Sequence, residues 1–143
     1  MSIKYLSIIT HYVPDYHYGG VVQSGHHLFQ YLMRQASFRI SAVSKNPINV
    51  QNVIGDYGHC YKSILLHRYG LSLTLLFGLW RDIKQSDIVY IHGLLAFPVS
   101  LGMLYAFIQN KPFAIETNGL TEWSASVRKI RKHVFFQCFA FPL

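Results

Sequence analysis

The sequence predicts an α/β fold: a doubly wound, Rossmann-like parallel sheet with helices on both faces. Apolar runs of strand length alternate along the chain with segments of helical periodicity, which is the order typical of parallel sheets. Residues 87–92 are rich in β-branched side chains, as expected of a strand buried on both faces. A hydrophobic content of 51% over 143 residues is enough for one core. We therefore expect a single domain over residues 1–143.

The N-terminal part predicts a strand, a turn, a helix and a second strand. Residues 3–10 form an apolar run with β-branched members, and residues 11–20 are turn-rich and end in two adjacent glycines. Apolar residues at three- and four-residue spacing predict a helix over 22–34. Residues 38–44 then predict the second strand, which completes a β-loop-α-β unit.

The middle of the chain predicts a loop, a strand and a helix. Residues 45–58 are rich in Asn, Pro and Gly and are typical of a variable loop. Residues 60–68 predict a third strand, and the mostly apolar residues 71–84 predict a helix.

The C-terminal part continues the alternation. A strand over 87–92 is followed by a turn over 93–97, and Pro98 stands at the first position of a helix that ends at residue 109. Proline suits that position because the first N–H of a helix has no intrahelical partner. Residues 111–117 predict the next strand. A further helix is expected to begin at Thr121, and the closing segment is rich in phenylalanine.

The uncharged stretch over residues 88–110 is long enough to raise the alternative of a membrane span, which needs about 20 apolar residues. Polar and helix-breaking residues interrupt it: His92, Gly93, Pro98, Ser100 and Gly102. We expect a strand followed by a helix instead. The N-terminus lacks the long apolar run and cleavage site of a secretory signal, so the expected location is the cytoplasm.

The formal charge of +7 is mainly a local feature. Four of the positive charges come from Arg128, Lys129, Arg131 and Lys132, and the remainder of the chain has no basic stripe and no nucleic-acid-binding motif. Nucleic acid is therefore not an expected partner. The two cysteines, Cys60 and Cys138, have no paired spacing and are expected to be small buried residues in a reducing compartment.

Candidate site residues follow three of the predicted strands. Ligands of doubly wound sheets bind beyond the carboxyl ends of the strands. Gly19 and Gly20 lie between a strand and a helix, where backbone N–H groups can approach an anion such as a diphosphate, although a plain turn is the alternative. His92 and Gly93 end another strand, and the imidazole there could bind a hydroxyl or phosphate or be a structural histidine.

The strand over 111–117 leads to the third group, Glu116, Asn118 and Gly119. A carboxylate at a strand end could meet an acceptor hydroxyl, and a capping or salt-bridged carboxylate is the alternative. His92, Glu116 and Asn118 are thus the catalytic candidates. The histidines show no H-E-x-x-H or comparable pattern and no Asp-x-Asp occurs, so no metal site is expected.

The order and spacing of these motifs resemble the N-terminal, acceptor-side domain of family 4-like glycosyltransferases of the GT-B fold. In that family a first strand leads through a proline-containing loop to a glycine pair, as over residues 10–22 here. A strand of the type at residues 87–93 then precedes an aromatic-Pro helix start, here Phe97-Pro98. A Lys-Pro strand ends in a polar-Gly turn, as over 111–119, and a basic helix follows. The resemblance covers nearly the whole chain.

The resemblance implies transfer of a sugar from a UDP- or GDP-sugar to a sugar or lipid-linked acceptor, with retained configuration and without a metal or a tightly bound cofactor. It places Gly19 and Gly20 against the donor diphosphate and the Asn118-Gly119 turn against the transferred sugar. Members often carry His or Arg where Asn118 stands. The family's donor-binding domain would follow residue 143, so we expect an incomplete GT-B N-terminal domain, nearly inactive alone, with a separately encoded C-terminal domain as a partner.

Two other functions remain open. Val127, Ile130 and Val134 fall on one side of the predicted last helix and the basic residues on its flank, which is typical of a helix that docks peripherally on an anionic membrane surface. A solvated helix face gives the same pattern. The third alternative is a non-catalytic remnant that binds an acceptor or a partner protein.

Overall fold

The computed structural model describes residues 3–34, 37–64, 66–93 and 96–116, in which strands and helices alternate. The strands are β1 (Lys4–Ile9), β2 (Ser37–Ser44), β3 (Gly58–Lys62), β4 (Ile88–His92) and β5 (Phe113–Glu116). The α-helices are α1 (Gly20–Leu32), α2 (Pro47–Ile54), α3 (Leu73–Lys84) and α4 (Phe97–Ile108). The predicted helix from Thr121 and the phenylalanine-rich closing segment lie outside these ranges.

The five strands form one sheet in the order β3-β2-β1-β4-β5, and every neighbouring pair is parallel. β1 lies at the centre, where Ile9 is level with Ala42 of β2 and with His92 of β4. The chain first builds outward from β1 through β2 to β3, then returns to the other side of β1 to build β4 and β5. This order confirms the predicted doubly wound sheet.

Two hydrophobic cores cover the two faces of the sheet, because alternate strand residues point to opposite faces. Leu6 and Ile8 of β1 point toward α3 and α4, whereas Ile9 points toward α1 and α2. The first core includes Leu75, Leu79, Ile83, Val89, Ile91, Val99 and Met103. The second includes Val22, Phe29, Phe38, Ile40, Val50 and Ile54. Helices therefore cover both faces, as the sequence predicts.

Two glycines let helices approach the central strand closely. A Cβ on Gly25 of α1 would lie 2.6 Å from Cδ1 of Ile9, and a Cβ on Gly102 of α4 would lie 2.6 Å from Cδ1 of Ile8. Larger residues would require movement of an isoleucine side chain in the core or of the helix itself. The close approach of α1 matters for the candidate site, because it brings that helix beside His92.

Residues 45–58, predicted to be a variable loop, contain α2 and a 3-10 helix over Gly55–Tyr57. The loop prediction was wrong because it followed the Asn, Pro and Gly content and overlooked a short amphipathic helical pattern. Pro47 opens the helix at a position that suits proline. Val50 and Ile54 lie one turn apart and are fully buried against the sheet, so tertiary packing stabilises a helix of poor intrinsic propensity.

The third strand is shorter than predicted and runs over Gly58–Lys62. A 3-10 helix over His67–Tyr69 follows, within the range predicted to be strand. Leu66 and Gly70, on either side of that turn, both have positive φ values, of 49° and 67°. These left-handed positions turn the backbone and are incompatible with a continuous strand.

The uncharged stretch over residues 88–110 divides into β4 and the twelve-residue α4. α4 begins at Phe97, one residue before the predicted start, with Pro98 in its first turn. Within the ranges that the structure describes, no helix is both long and apolar enough to cross a membrane.

Candidate functional site

The carboxyl ends of β1, β4 and β5 lie side by side at one edge of the sheet, which we call the rim. β1 and β4 are neighbours in the sheet although β2 and β3 separate them in sequence. The chain therefore leaves the carboxyl end of β1 toward β2 and the carboxyl end of β4 toward β5, in opposite directions. Such a reversal opens a crevice, which is where doubly wound proteins bind ligands. α1 begins above this crevice.

The loop from β1 to α1 is held against the sheet by buried side chains and a carboxylate. Tyr12 and Val13 are buried, and the Val13-Pro14 peptide bond is cis. Asp15 accepts a hydrogen bond of 2.7 Å from the Ser44 hydroxyl at the end of β2. The loop is thus tied to the neighbouring strand, which fixes where α1 starts.

Gly19 and Gly20 form the entrance to α1. Gly19 has a φ of +93°, a conformation that favours glycine, and a Cβ on either residue would meet no atom within 4 Å. The N–H groups of Gly20 and Val21 donate to no backbone carbonyl of the described chain. An open helix N-terminus with unpaired N–H groups is suited to an anion.

His92 and Glu116 are joined across β4 and β5 at the rim. Nδ1 of His92 lies 2.8 Å from Oε2 of Glu116, and the Tyr90 hydroxyl donates to the same oxygen at 3.4 Å. His92 is only 2% exposed, and its Nε2 is buried with no hydrogen-bond partner among the described residues. A Cβ on Gly25 of α1 would lie 3.9 Å from the imidazole.

Burial lowers the pKa of His92 because it removes water from the charged form, and the Glu116 carboxylate opposes this effect. We therefore assign a neutral imidazole at neutral pH. An ionised carboxylate can only accept, so Nδ1 carries the proton and donates to Glu116. Nε2 is then unprotonated, and its lone pair can accept a hydrogen bond or a proton. The hydrogen bond of Nδ1 fixes the orientation of the ring.

His11, at the end of β1, is a second buried histidine of the rim. Its Nε2 lies 3.2 Å from the Arg68 carbonyl oxygen, and its ring stacks on Tyr18 with centroids 3.4 Å apart. Its buried Nδ1 has no hydrogen-bond partner within residues 3–34, 37–64, 66–93 and 96–116, and burial lowers the pKa of His11. Sequence reasoning set His11 aside for want of a ligand pattern, but its place directly after the first strand was a usable signal.

Comparisons with known proteins support the fold. No family model and no curated protein matches the chain. A crystal structure assigned to a UDP-N-acetylglucosamine 2-epimerase from Listeria monocytogenes aligns with a TM-score of 0.50 and 16% identity, over 94% of this chain and 36% of that one. A short-chain dehydrogenase/reductase from Veillonella parvula, in complex with NADP, aligns with a TM-score of 0.50 and 13% identity, over 93% and 56%.

The fold is Rossmann-like. At these identities the likeness concerns the fold alone, and the chain spans less than two thirds of either structure. Both similar structures belong to enzymes with α/β folds.

The structure brings several of the predicted site residues together. His92 and Glu116 are in direct contact, and the Gly93 N–H, at a φ of +89°, donates to the Glu116 carbonyl oxygen at 2.8 Å. Gly19 and Gly20 lie at the same rim. The other predicted residues fall outside the described ranges, namely Asn118, Gly119, Arg128, Lys129, Arg131 and Lys132. No group of three or more metal-ligating side chains occurs in the described part of the chain.

Asp82 forms a second polar cluster that sequence reasoning missed. This buried residue of α3 accepts hydrogen bonds from the Ser41 hydroxyl at 2.8 Å and the Tyr61 hydroxyl at 2.6 Å. It also lines a cavity of about 230 Å³ with Lys4 and Arg39, among other residues, at the amino end of the strands. The cavity is therefore at the opposite edge of the sheet from the rim.

Proposed function

We propose that this chain is the acceptor-side domain of an enzyme that uses a nucleotide sugar, and that the enzyme is a glycosyltransferase. The observation that carries the proposal is the pair His92 and Glu116. The imidazole is buried at the rim, one of its nitrogens contacts a carboxylate, and the other has no hydrogen-bond partner among the described residues. A neutral histidine oriented in this way is suited to accepting the proton of a sugar hydroxyl.

In the proposed reaction the buried Nε2 of His92 becomes accessible, and the acceptor hydroxyl hydrogen-bonds to it. Its oxygen forms a bond to the anomeric carbon of the donor, the bond from that carbon to the diphosphate breaks, and the diphosphate leaves with the electron pair. The hydroxyl proton passes to Nε2, and the resulting imidazolium is stabilised by Glu116 at 2.8 Å from Nδ1. Tyr90 donates to the same carboxylate and helps to orient it.

The donor diphosphate is proposed to lie at the N-terminus of α1. The exposed N–H groups of Gly20 and Val21 and the helix dipole favour a negative charge there. The similar epimerase is named for a nucleotide-sugar substrate, which supports the coarser assignment. Glycosyl transfer, a UDP- or GDP-sugar donor and a sugar-facing Asn118-Gly119 turn rest on the sequence resemblance.

Titration calorimetry with UDP and GDP tests the diphosphate site in the 143-residue chain. A methyl group on Gly20 meets no protein atom, so Gly20→Ala should fold normally while obstructing close approach of a phosphate. We expect about tenfold weaker binding of the preferred nucleotide. Gln30→Ala, at an exposed position near the other end of α1, is the control for a substitution in this helix. Equal affinity of Gly20→Ala and wild type would contradict the diphosphate site.

Nitrogen-15 NMR of the histidine rings tests the proposed base. At neutral pH the His92 ring should show a protonated Nδ1 and an unprotonated Nε2, and Glu116→Gln should disturb this tautomer. A ring protonated at Nε2 would remove the proposed proton acceptor. Because the resemblance implies a separate donor-binding domain, the 143 residues alone should turn over nucleotide sugar slowly or not at all.

The product distinguishes the enzymatic alternatives once a donor-binding partner is supplied. Glycosyl transfer releases UDP or GDP and elongates an acceptor, whereas epimerisation changes the sugar and leaves the nucleotide attached. A chain that binds a glycan or partner protein and never supports either reaction would be the non-catalytic remnant.

Docking of Arg128, Lys129, Arg131 and Lys132 on an anionic membrane remains a separate prediction. Liposome sedimentation of variants with Gln at these four positions tests it.

A further inference from the structure

The outer surface of α3 carries an exposed apolar stripe. Leu73, Phe77 and Trp80 follow one another at helical spacing, and Phe77 is 81% exposed. The opposite side of the helix is also apolar, because Leu75, Leu79 and Ile83 are buried against the sheet. A surface helix ordinarily presents polar residues to water, so this outer stripe calls for an explanation.

The outer surface of α4 has the same character. Leu104, Phe107 and Ile108 are exposed at three- and four-residue spacing, and Phe107 is 71% exposed. α4 contains no charged residue at all. Its inner side is buried against β1 and β4, so the helix is apolar nearly all round. Such a helix is usually covered on every side.

The two helices lie side by side and form one surface. The rings of Trp80 and Tyr105 meet edge to face with centroids 5.0 Å apart. The Gln109 amide donates to the Trp80 carbonyl oxygen at 3.1 Å. We call the resulting surface the α3-α4 patch; it consists of Leu73, Phe77, Trp80, Leu104, Phe107 and Ile108.

Two cations of α3 lie beside the α3-α4 patch. Arg81 and Lys84 are exposed on α3, one turn beyond Phe77 and Trp80 respectively. Asp82, the one acid of α3, is buried and lies 3.6 Å from the Arg81 guanidinium, and α4 has no acid. A twofold dimer through this patch would bring the exposed cations of two copies together, and neither α3 nor α4 offers an exposed carboxylate to pair them across the interface. An anionic lipid surface complements both the apolar side chains and the cations.

We propose that the α3-α4 patch docks on an anionic membrane surface, with Phe77 and Phe107 inserted among the lipids and Arg81 and Lys84 at the headgroups. Trp80, half buried beside Tyr105, lies at the level of the interface, where amphipathic aromatic rings are favoured. The proposed docking does not depend on the proposed reaction, and it uses other residues than the predicted basic cluster at Arg128, Lys129, Arg131 and Lys132.

Sedimentation with lipid vesicles tests the proposal. The 143-residue chain should bind vesicles of equal parts phosphatidylcholine and phosphatidylglycerol, and bind phosphatidylcholine alone much more weakly. Replacing both Phe77 and Phe107 with Ser should weaken binding by about tenfold or more, because the inserted apolar area is lost. Replacing Tyr31 and Ile48 with Ser, which are 62% and 74% exposed on α1 and α2, is the matched control and should leave binding unchanged.

Fluorescence quenching keeps the test independent of the folding of those variants. In a Trp123→Phe chain Trp80 is the single tryptophan. Lipids brominated on their acyl chains should quench its emission when anionic vesicles are added.

Three results would each overturn the proposal. The first is absence of sedimentation with anionic vesicles. The second is sedimentation without quenching of Trp80, which would assign binding to another surface such as the basic cluster. The third is a dimer in lipid-free buffer that the Phe77 and Phe107 substitutions dissociate, which would assign the α3-α4 patch to self-association.

Discussion

At the scale of single residues, the rim combines two buried imidazoles, His11 and His92. In the part of the chain that the structure describes, each has one nitrogen without a hydrogen-bond partner. A buried polar atom without a partner costs about 1–3 kcal/mol of stability, so its presence at two neighbouring strand ends needs a reason. A bound ligand that donates hydrogen bonds to these nitrogens supplies one. Placing both histidines at the ligand-binding edge is consistent with that explanation.

The same burial predicts acid sensitivity. The pKa values of His11 and His92 in the folded chain lie below the ordinary value of 6.5, mainly because burial disfavours the charged ring. Below that pH the unfolded chain holds more protons than the folded chain, so the free energy of unfolding falls as the pH falls. The slope contributed by each histidine is at most about 1.4 kcal/mol per pH unit.

Urea unfolding at about pH 7.5 and about pH 5.5 measures this dependence. His92→Gln should lose less stability between the two conditions than wild type, because Gln does not titrate. His27→Gln removes an exposed imidazole of α1 and controls for the substitution itself. If the His92→Gln chain loses as much stability between the two pH values as wild type does, protonation of His92 is not what lowers the free energy of unfolding in acid.

A rim residue could be predicted where its own place in the sequence, such as the end of a predicted strand, indicated its position in the fold. His92 and Glu116 were found because each ends a predicted strand, and parallel strands end at one edge. Gly25 was missed as a packing residue, since its role depends on the distance between α1 and Ile9, which no local pattern encodes. Asp82 was missed for a similar reason: its partners Ser41 and Tyr61 come from two distant strands.

At the scale of elements, Asp82 joins α3 to the sheet. It accepts hydrogen bonds from the hydroxyl groups of Ser41 in β2 and Tyr61 in β3, and burial together with this carboxylate raises the pKa of Tyr61. Asp82→Ala should lower the free energy of unfolding by about 2–4 kcal/mol, because two hydroxyls lose their acceptor in a buried setting. Urea unfolding measures the change.

The matched control for Asp82 is Asp56, an exposed acid in the 3-10 helix over Gly55–Tyr57. Asp56→Ala should change stability by no more than about 0.5 kcal/mol. Combining Asp82→Ala with Tyr61→Phe should cost less than the sum of the single changes, because the two side chains share one hydrogen bond. An Asp82→Ala chain as stable as the Asp56 variant would rule out the proposed attachment of α3.

Elements with a strong hydrophobic period were predictable, and those stabilised by distant contacts were not. β1, β4 and α3 follow from their apolar patterns within a few residues. α2 did not, because one Pro and two Asn occur among its eight residues and its helix depends on burial of Val50 and Ile54. The Gln51 side chain donates hydrogen bonds to the Gly55 and Gly58 carbonyl oxygens and accepts one from the Cys60 N–H. These bonds also connect different elements.

At the scale of the whole molecule, two edges of the sheet compete as sites for a diphosphate. The rim offers N–H groups at the start of α1. The amino edge offers the cavity lined by Lys4 and Arg39, whose positive charges also attract phosphate. Asp82 lines that cavity as well and repels an anion. At Gly19 and Gly20 an added Cβ would meet no atom within 4 Å, so a ligand can approach the backbone closely there.

Hydrogen–deuterium exchange with and without a saturating concentration of UDP or GDP distinguishes the two edges. We expect slower exchange in residues 11–25 and 92–93 because a ligand at the rim covers and orders the start of α1 and the end of β4. Exchange in residues 37–41 and 84–87 should not change. Arg39→Gln should leave the protection at the rim intact, whereas Gly20→Ala should weaken it. Protection confined to the amino edge and abolished by Arg39→Gln would place the nucleotide in the cavity. The donor diphosphate would then not lie at the rim with His92.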